Sequence, residues 1–313
     1  MQEVPSLTRN KNLVNGGRRW FSSATFLSDL LRSYMERNYK RTVFWAIVVV
    51  LLYLSYERLS DVIFRAFNYI DVKYSLVPEA LLPSINAFVD TFISVILIAI
   101  YLILAVFIVK KHEPGVKLGY VKGSIFCLVM GFTFYGIAGL WFELVDRFLV
   151  VIPFIAENVK YFSGVYDDLE SGAYIWSLLS ISIIGPIVEE ILFRLLIFNS
   201  LERITKSPWF AIIVSGVLFG IWHMIFVQSV YTSVMGCIMG LIYYKTRNIF
   251  YTILIHIINN TIGNLPPALN TDAINTLISN VAYLMVIPGI ILLILLCKEK
   301  PANKELAVED YGL

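Results

Sequence analysis

Eight apolar runs of spanning or near-spanning length dictate what this chain can become. They lie near residues 43–56, 87–109, 123–145, 175–198, 209–226, 231–244, 249–264 and 274–296. A run of about 20 apolar residues crosses a bilayer as a helix, because only a helix satisfies its own backbone N–H and C=O groups where no water can. The first, sixth and seventh runs are short and rely on tilt or flanking residues. Composition agrees: 15% of residues are charged and 58% hydrophobic, against about 25% charged in a soluble domain, and the mean hydropathy is +0.73. The expected fold class is an all-α, polytopic transmembrane helix bundle of eight spans. Its lipid bilayer is the first implied partner.

The connecting segments orient those spans. With the N-terminus placed in the cytoplasm, nineteen of the 25 Lys and Arg residues fall on the cytoplasmic side and five, Arg58, Arg65, Lys73, Arg147 and Lys160, on the other. Arg194 alone is left inside a span. The positive-inside rule asks for such a bias, so both termini are expected to be cytoplasmic. The same residues are accounted for by topology and lipid headgroups, and they make no case for a nucleic-acid partner. Three scattered cysteines, Cys127, Cys237 and Cys297, give neither a disulfide framework nor a CxxC metal signal. The first forty residues are polar and basic, with no early apolar core of a cleavable signal. Residues 1–42 read as a cytoplasmic arm, in which 20–38 bring Trp20, Phe21, Phe26, Leu27, Leu30 and Leu31 near one face of a helix suited to lying on the leaflet or packing on the bundle. Residues 43–296 form the transmembrane domain. Residues 297–313 read as a mixed-charge, disordered cytoplasmic tail. His112 reads as a surface residue of a cytoplasmic loop, and Asp167, Asp168 and Glu170 as a solvated acidic outer loop.

Charges inside the apolar runs need a reason. Asp90 and Glu143 sit near the outer ends of their helices, within reach of headgroups or water, and Glu143 has Arg147 one turn on. Glu189 and Glu190 lie mid-span in the stretch VEEILFR, where each ionised group costs about 2.5–3.5 kcal/mol on insertion scales. Glu190 and Arg194 are four apart and share a helix face, so they can pair. Glu189 is rotated by about 100° and stays available. Pro186 and Gly185 should loosen the helix just before it, with the carbonyl of Ser182 losing its donor. Two of the three histidines, His223 and His256, are also in spans, each sharing a face with a residue four away, Phe219 and Asn260. One intramembrane histidine is ordinary polar glue. Two of them with a glutamate pair, an arginine and an asparagine on three helices point to chemistry. At 1.5 Å per residue, Glu189, His256 and Asn260 fall about 14, 10 and 16 Å from the cytoplasmic ends of their spans, whereas His223 falls about 21 Å in.

These residues resemble a known family. Glu189-Glu190-x-x-x-Arg194, Phe219-x-x-x-His223 and His256-x-x-x-Asn260, in that order and each inside a span, are similar to the three motifs of the CPBP intramembrane proteases, which include the type II CAAX prenyl endopeptidases and bacterial Abi and bacteriocin-immunity proteins. The matching core covers 175–264. The resemblance implies a helical bundle with a conical cavity open to the cytoplasmic side and the membrane. It implies that Glu189 and His223 activate a water, that His256 and Asn260 stabilise the oxyanion, and that Glu190, Arg194 and Phe219 support them. Glutamate and histidine suit general-base work, and a histidine and an amide suit oxyanion donation. Glu189, His223 and His256 are also a set of types that could bind catalytic zinc, though the favoured reading needs no cofactor. The implied substrate is a peptide or protein, prenylated in the CAAX case, cut near the cytoplasmic face, and the implied location is a bacterial plasma membrane. Two other classes remain: a non-catalytic scaffold or bacteriocin-immunity protein of the same fold, and a transporter with a proton-relay glutamate. The last predicts broken-helix repeats in two halves, and none are seen in the sequence.

Overall fold

The computed structural model describes residues 23–109, 114–170, 172–205 and 207–299; for 23–37 and 168–170 only the course of the backbone is described. Among the described residues all regular structure is helical. Nine helices follow one another: α1 (Ser23–Tyr74), α2 (Glu79–Ile108), α3 (Tyr120–Leu149), α4 (Pro153–Glu170), α5 (174–204), α6 (Pro208–Trp222), α7 (Phe226–Thr246), α8 (Ile249–Gly263) and α9 (Asp272–Lys298). The chain divides into two units, Met1–Arg41 and Thr42–Leu313, and every side chain of the candidate site belongs to the second. The amphipathic face expected over 20–38, His112 and the tail beyond residue 299 lie outside the described residues.

Each of the eight apolar runs lies in a helix, and five of the helices are long and apolar enough to cross a membrane by themselves. α6 and α8 are shorter apolar helices of 15 residues each. Two expectations are corrected. The segment after α3, read as an outer loop, contains the extra helix α4, so Asp167 stands on a helix. Its apolar side closes over Val145, Ile225 and Val227, and burial of that stripe holds an otherwise polar segment helical. The first apolar run also does not end near residue 56. α1 continues to Tyr74, with Arg58 and Arg65 on its exposed face and Arg65 paired to Asp61 at i,i+4.

The strongest packing is between α6 and α7, and its cause is spacing. Gly216 on α6 meets Gly236 on α7, Gly220 lies against Ser229 and Ser233, and Gly240 against Ile212; the two small-xxx-small patterns let the helices approach closely. A Cβ on Gly236 would lie 2.8 Å from the Gly216 carbonyl oxygen, and one on Gly216 would strike the backbone nitrogen of Cys237. We therefore expect Gly216→Ala to cost about 1–3 kcal/mol, read as a lowered thermal midpoint of the purified protein in detergent. Gly164→Ala, on the open side of α4 with nothing within 4 Å, should be neutral.

Contacts define two ends of the bundle. At one, Arg203 lies over the Trp45 ring (4.4 Å) and donates to the Ile108 carbonyl. Lys245 donates to the carbonyls of Cys297 and Glu299 at 2.8 and 2.9 Å, and Arg247 grips Glu202 with two bonds of 2.7 and 2.9 Å. Because it carries Lys117, Lys122, Arg203, Lys245, Arg247 and Lys298, this is the basic end. At the other end, Ala173 N–H donates to Ser84 Oγ, Tyr174 to the Asn264 carbonyl, Trp141 Nε1 to the Val227 carbonyl, and Phe226 N–H to Asn158 Oδ1, at 2.7–3.0 Å.

Candidate active site

The site begins with a local departure from α-helical winding. Over Leu178–Ile184 the turns of α5 widen to π-helical, and Gly185 N–H bonds the Ser180 carbonyl, five residues back. Gly185 is needed there, since a Cβ would press on that same carbonyl oxygen. Pro186 has no N–H. In this wider register the carbonyl left without a donor belongs to Ile181, not to Ser182 as α-helical counting predicts. Asn260 from α8 fills the gap, its Nδ2 donating to Ile181 oxygen at 2.8 Å. The loosened turn thus anchors a residue of the third motif. A second wide stretch, Ile191–Phe198, is closed by Asn199, whose Nδ2 lies 3.0 Å from the carbonyls of Arg194 and Leu195.

The two glutamates take different environments, as their rotation about the helix requires. Glu190 and Arg194 are both fully buried and joined by a 3.0 Å bond from Arg194 Nε to Glu190 Oε2. The Arg194 guanidinium also lies 5.2 Å from the Phe219 ring centroid, a cation–π contact. Glu189 points the other way. Its side chain keeps 17% exposure, and its Oε2 meets no hydrogen-bond partner among the described residues. His256 stands between the two carboxylates, with Nδ1 3.2 Å from Glu190 Oε1 and Nε2 3.8 Å from Glu189 Oε2.

His223 comes from the last turn of α6. The helix stops there because the chain turns over His223 and Met224, whose φ is +59°. His223 Nδ1–H donates to the Phe219 carbonyl at 2.9 Å, capping the helix end. That bond fixes the tautomer of the neutral ring and leaves Nε2 as an acceptor. Phe219 is 1% exposed and sets its ring edge-on to both His223 and His256, at 4.9 and 5.9 Å between centroids. This accounts for its place in the second motif.

Glu189, His223, His256 and Asn260 line one cavity of about 210 Å³. Of the other sequence-predicted residues, Phe219 also lines the cavity, whereas Glu190 and Arg194 do not. Residues the sequence reading passed over join them. Asp90, read as a helix-end acid, lies in the cavity wall, and Ser180 donates its hydroxyl proton to Asp90 Oδ2 at 2.5 Å. Tyr56, Tyr166, Gln228, Tyr231, Thr232 and Asn259 add to the polar lining. An acid within an apolar run was the available signal for Asp90; nothing in the pattern marked the tyrosines. Glu143 does pair with Arg147, at 2.8 Å and half exposed, away from this cavity.

Residues 171–262 match the family described as type II CAAX prenyl endopeptidase Rce1-like. This segment is a CPBP-family domain. Among curated proteins, the chain is 39% identical over 80 residues to the "Putative membrane peptidase YdiL" of Bacillus subtilis (strain 168). That stretch is 26% of this chain, and it spans about a third (32%) of that relative. No solved structure matches the chain. The CPBP-family domain contains all three motifs, from Glu189 to Asn260, and the loosened turn before them. It does not contain Tyr56 or Asp90, so α1 and α2 bring to the cavity residues from outside the matched segment.

Geometry bears on the metal reading. Among the described residues no three His, Cys, Asp or Glu side chains gather as a metal set. Glu189, His223 and His256 are thus not gathered as a zinc set in this arrangement. The Nδ1 bonds of His223 to the Phe219 carbonyl and of His256 to Glu190 leave Nε2 of each ring uncommitted, an outer-shell pattern that metal-bound histidines share.

Proposed function

We propose that this protein is an intramembrane endopeptidase in which Glu189 activates the hydrolytic water. One observation carries the reading. Of two adjacent glutamates, Glu190 is fully buried and sealed by Arg194, while Glu189 keeps 17% side-chain exposure and lines a cavity shared with His223, His256 and Asn260. Water bound between Glu189 and His223 Nε2 gives a proton to the glutamate as its oxygen attacks the peptide carbonyl carbon. The carbonyl electron pair moves onto oxygen, and the second amide N–H of Asn260 receives the oxyanion together with His256, which acts here as the imidazolium, its Nδ1–H on Glu190 and its Nε2–H given to the oxyanion. Asn260 is held for this by Ile181, and its Oδ1 accepts from Asn259 at 2.8 Å. Collapse of the tetrahedral intermediate breaks the C–N bond, and the proton held by Glu189 passes to the leaving amine nitrogen. Glu190 and Arg194 position His256 from outside the cavity lining, and Phe219 supports both histidine rings from the cavity wall. The scheme uses no metal.

The test is cleavage by the purified protein of a mixed library of unmodified and farnesylated CAAX peptides, with and without a chelator. We expect cleavage that chelator leaves unchanged, and the cut peptides name the substrate class. Activity lost to chelator and restored by zinc overturns the metal-free scheme. Failure to cut any member of the library overturns the peptidase reading.

A further inference from the structure

The catalytic cavity has a mouth, and the mouth is not at the basic end. Tyr166, Ile181, Tyr231, Asn259 and Asn260 line both the catalytic cavity and a second one of about 540 Å³. This vestibule is bounded by the last turns of α3, by α4, and by the first half of α9, through Glu143, Asp146, Phe162, Asp167, Ser279 and Tyr283. All of these belong to the end of the bundle opposite Lys245 and Arg247. His223, in the last turn of α6, lies toward that end too, which is why it counts as deep when measured from the other.

Toward the basic end the route is closed. Beneath the catalytic residues lie the Glu190–Arg194 pair, Phe193, Leu196 and Met239, each with no exposure. The basic end has a cavity of its own, about 830 Å³ between α3, α7 and α8, and it shares no lining residue with the other two. Neither the catalytic cavity nor the vestibule is lined by a Lys or Arg.

The charge bias between the ends is the one that places basic segments in the cytoplasm. We propose that the catalytic cavity opens to the extracytoplasmic side and takes as substrate a peptide segment of an exported or membrane-anchored protein presented there. That this segment is cut rests on the hydrolytic reading of the site; the direction of access does not. A cytoplasmic opening, as the family resemblance implies, and a cytoplasmic basic end are incompatible in this fold, because cavity and basic loops lie at opposite ends. A lipidated C-terminus offered from the cytoplasm would meet the basic end, behind the buried ion pair.

Cysteine labelling decides the direction without needing turnover. In the full chain carrying Cys127→Ala and Cys237→Ala, native Cys297, which is exposed and next to the backbone that Lys245 holds, reports the basic end. Ser163→Cys reports the vestibule, and Asn259→Cys reports its junction with the catalytic cavity. A membrane-impermeant maleimide is applied to right-side-out and inside-out membrane vesicles. We expect Ser163→Cys and Asn259→Cys to label in right-side-out vesicles to the level reached in detergent, and Cys297 to label only in inside-out ones. The reverse pattern overturns the proposal. If the variants label as expected while the wild-type protein cuts no peptide, this topology stands and only the peptidase reading is lost.

Discussion

Glu189→Gln should leave the protein folded and inserted while lowering peptide hydrolysis by about 10²–10⁴-fold, the range a positioned general base contributes. The substitution keeps volume and shape and removes only the ability to take a proton. Structurally it is mild, because the Glu189 Oε2 atom has no donor to lose among the described residues and the His256 contact at 3.8 Å is too long for a good hydrogen bond. The neighbouring substitution is the control. Glu190→Gln removes the negative charge that balances a fully buried guanidinium, so it should lower the amount of folded protein. Initial rates normalised to folded protein, beside thermal midpoints, separate the two. Wild-type turnover in Glu189→Gln would sink the base assignment, and a midpoint lowered as far as that of Glu190→Gln would sink the division of labour between the pair.

That division was legible in the sequence because helical geometry is rigid over four residues. Glu190 and Arg194 had to share a face, and Glu189 had to leave it. The same rigidity made Phe219–His223 and His256–Asn260 readable as pairs. What was not legible came from long-range packing or from departures from α-helical winding. Counting by four assigned the carbonyl freed by Pro186 to Ser182, whereas the π-helical turn assigns it to Ile181, and with it the anchor of Asn260. α4 was not legible because its apolar stripe is broken by charges and two of its partners, Ile225 and Val227, are remote in sequence. Asp90 looked like a helix-end acid because the sequence could not show that Ser180 and the cavity lie opposite it. The paired glycines of α6 and α7 were a readable signal that went unused.

Arg194→Met should cost about 3–5 kcal/mol, the loss expected when one partner of a buried ion pair is removed. Arg194 and Glu190 are both without exposure, so neither can recover water when the other goes. After the substitution, Glu190 keeps the His256 contact at 3.2 Å and a hydrogen bond with the Thr252 side chain but no full counter-charge from Arg194, and Phe219 loses its cation. The pair itself is not expected to be a large net gain, because burying both ions carries a desolvation cost that their attraction only partly offsets. Two Arg194 nitrogens, Nη1 and Nη2, meet no acceptor among the described residues, which adds to that cost. The double variant Glu190→Gln/Arg194→Met should therefore regain most of the stability lost in Arg194→Met, leaving a neutral amide that can still accept from His256 Nδ1. Thermal midpoints and the folded fraction on size exclusion, measured for wild type, both single variants and the double, give the coupling between the two sites. A double variant as unstable as the sum of the singles would mean that Arg194 is held by contacts other than Glu190. Recovery of stability without recovery of turnover would place the pair where the geometry has it, behind His256, retained for the orientation of that ring and not for the strength of the fold.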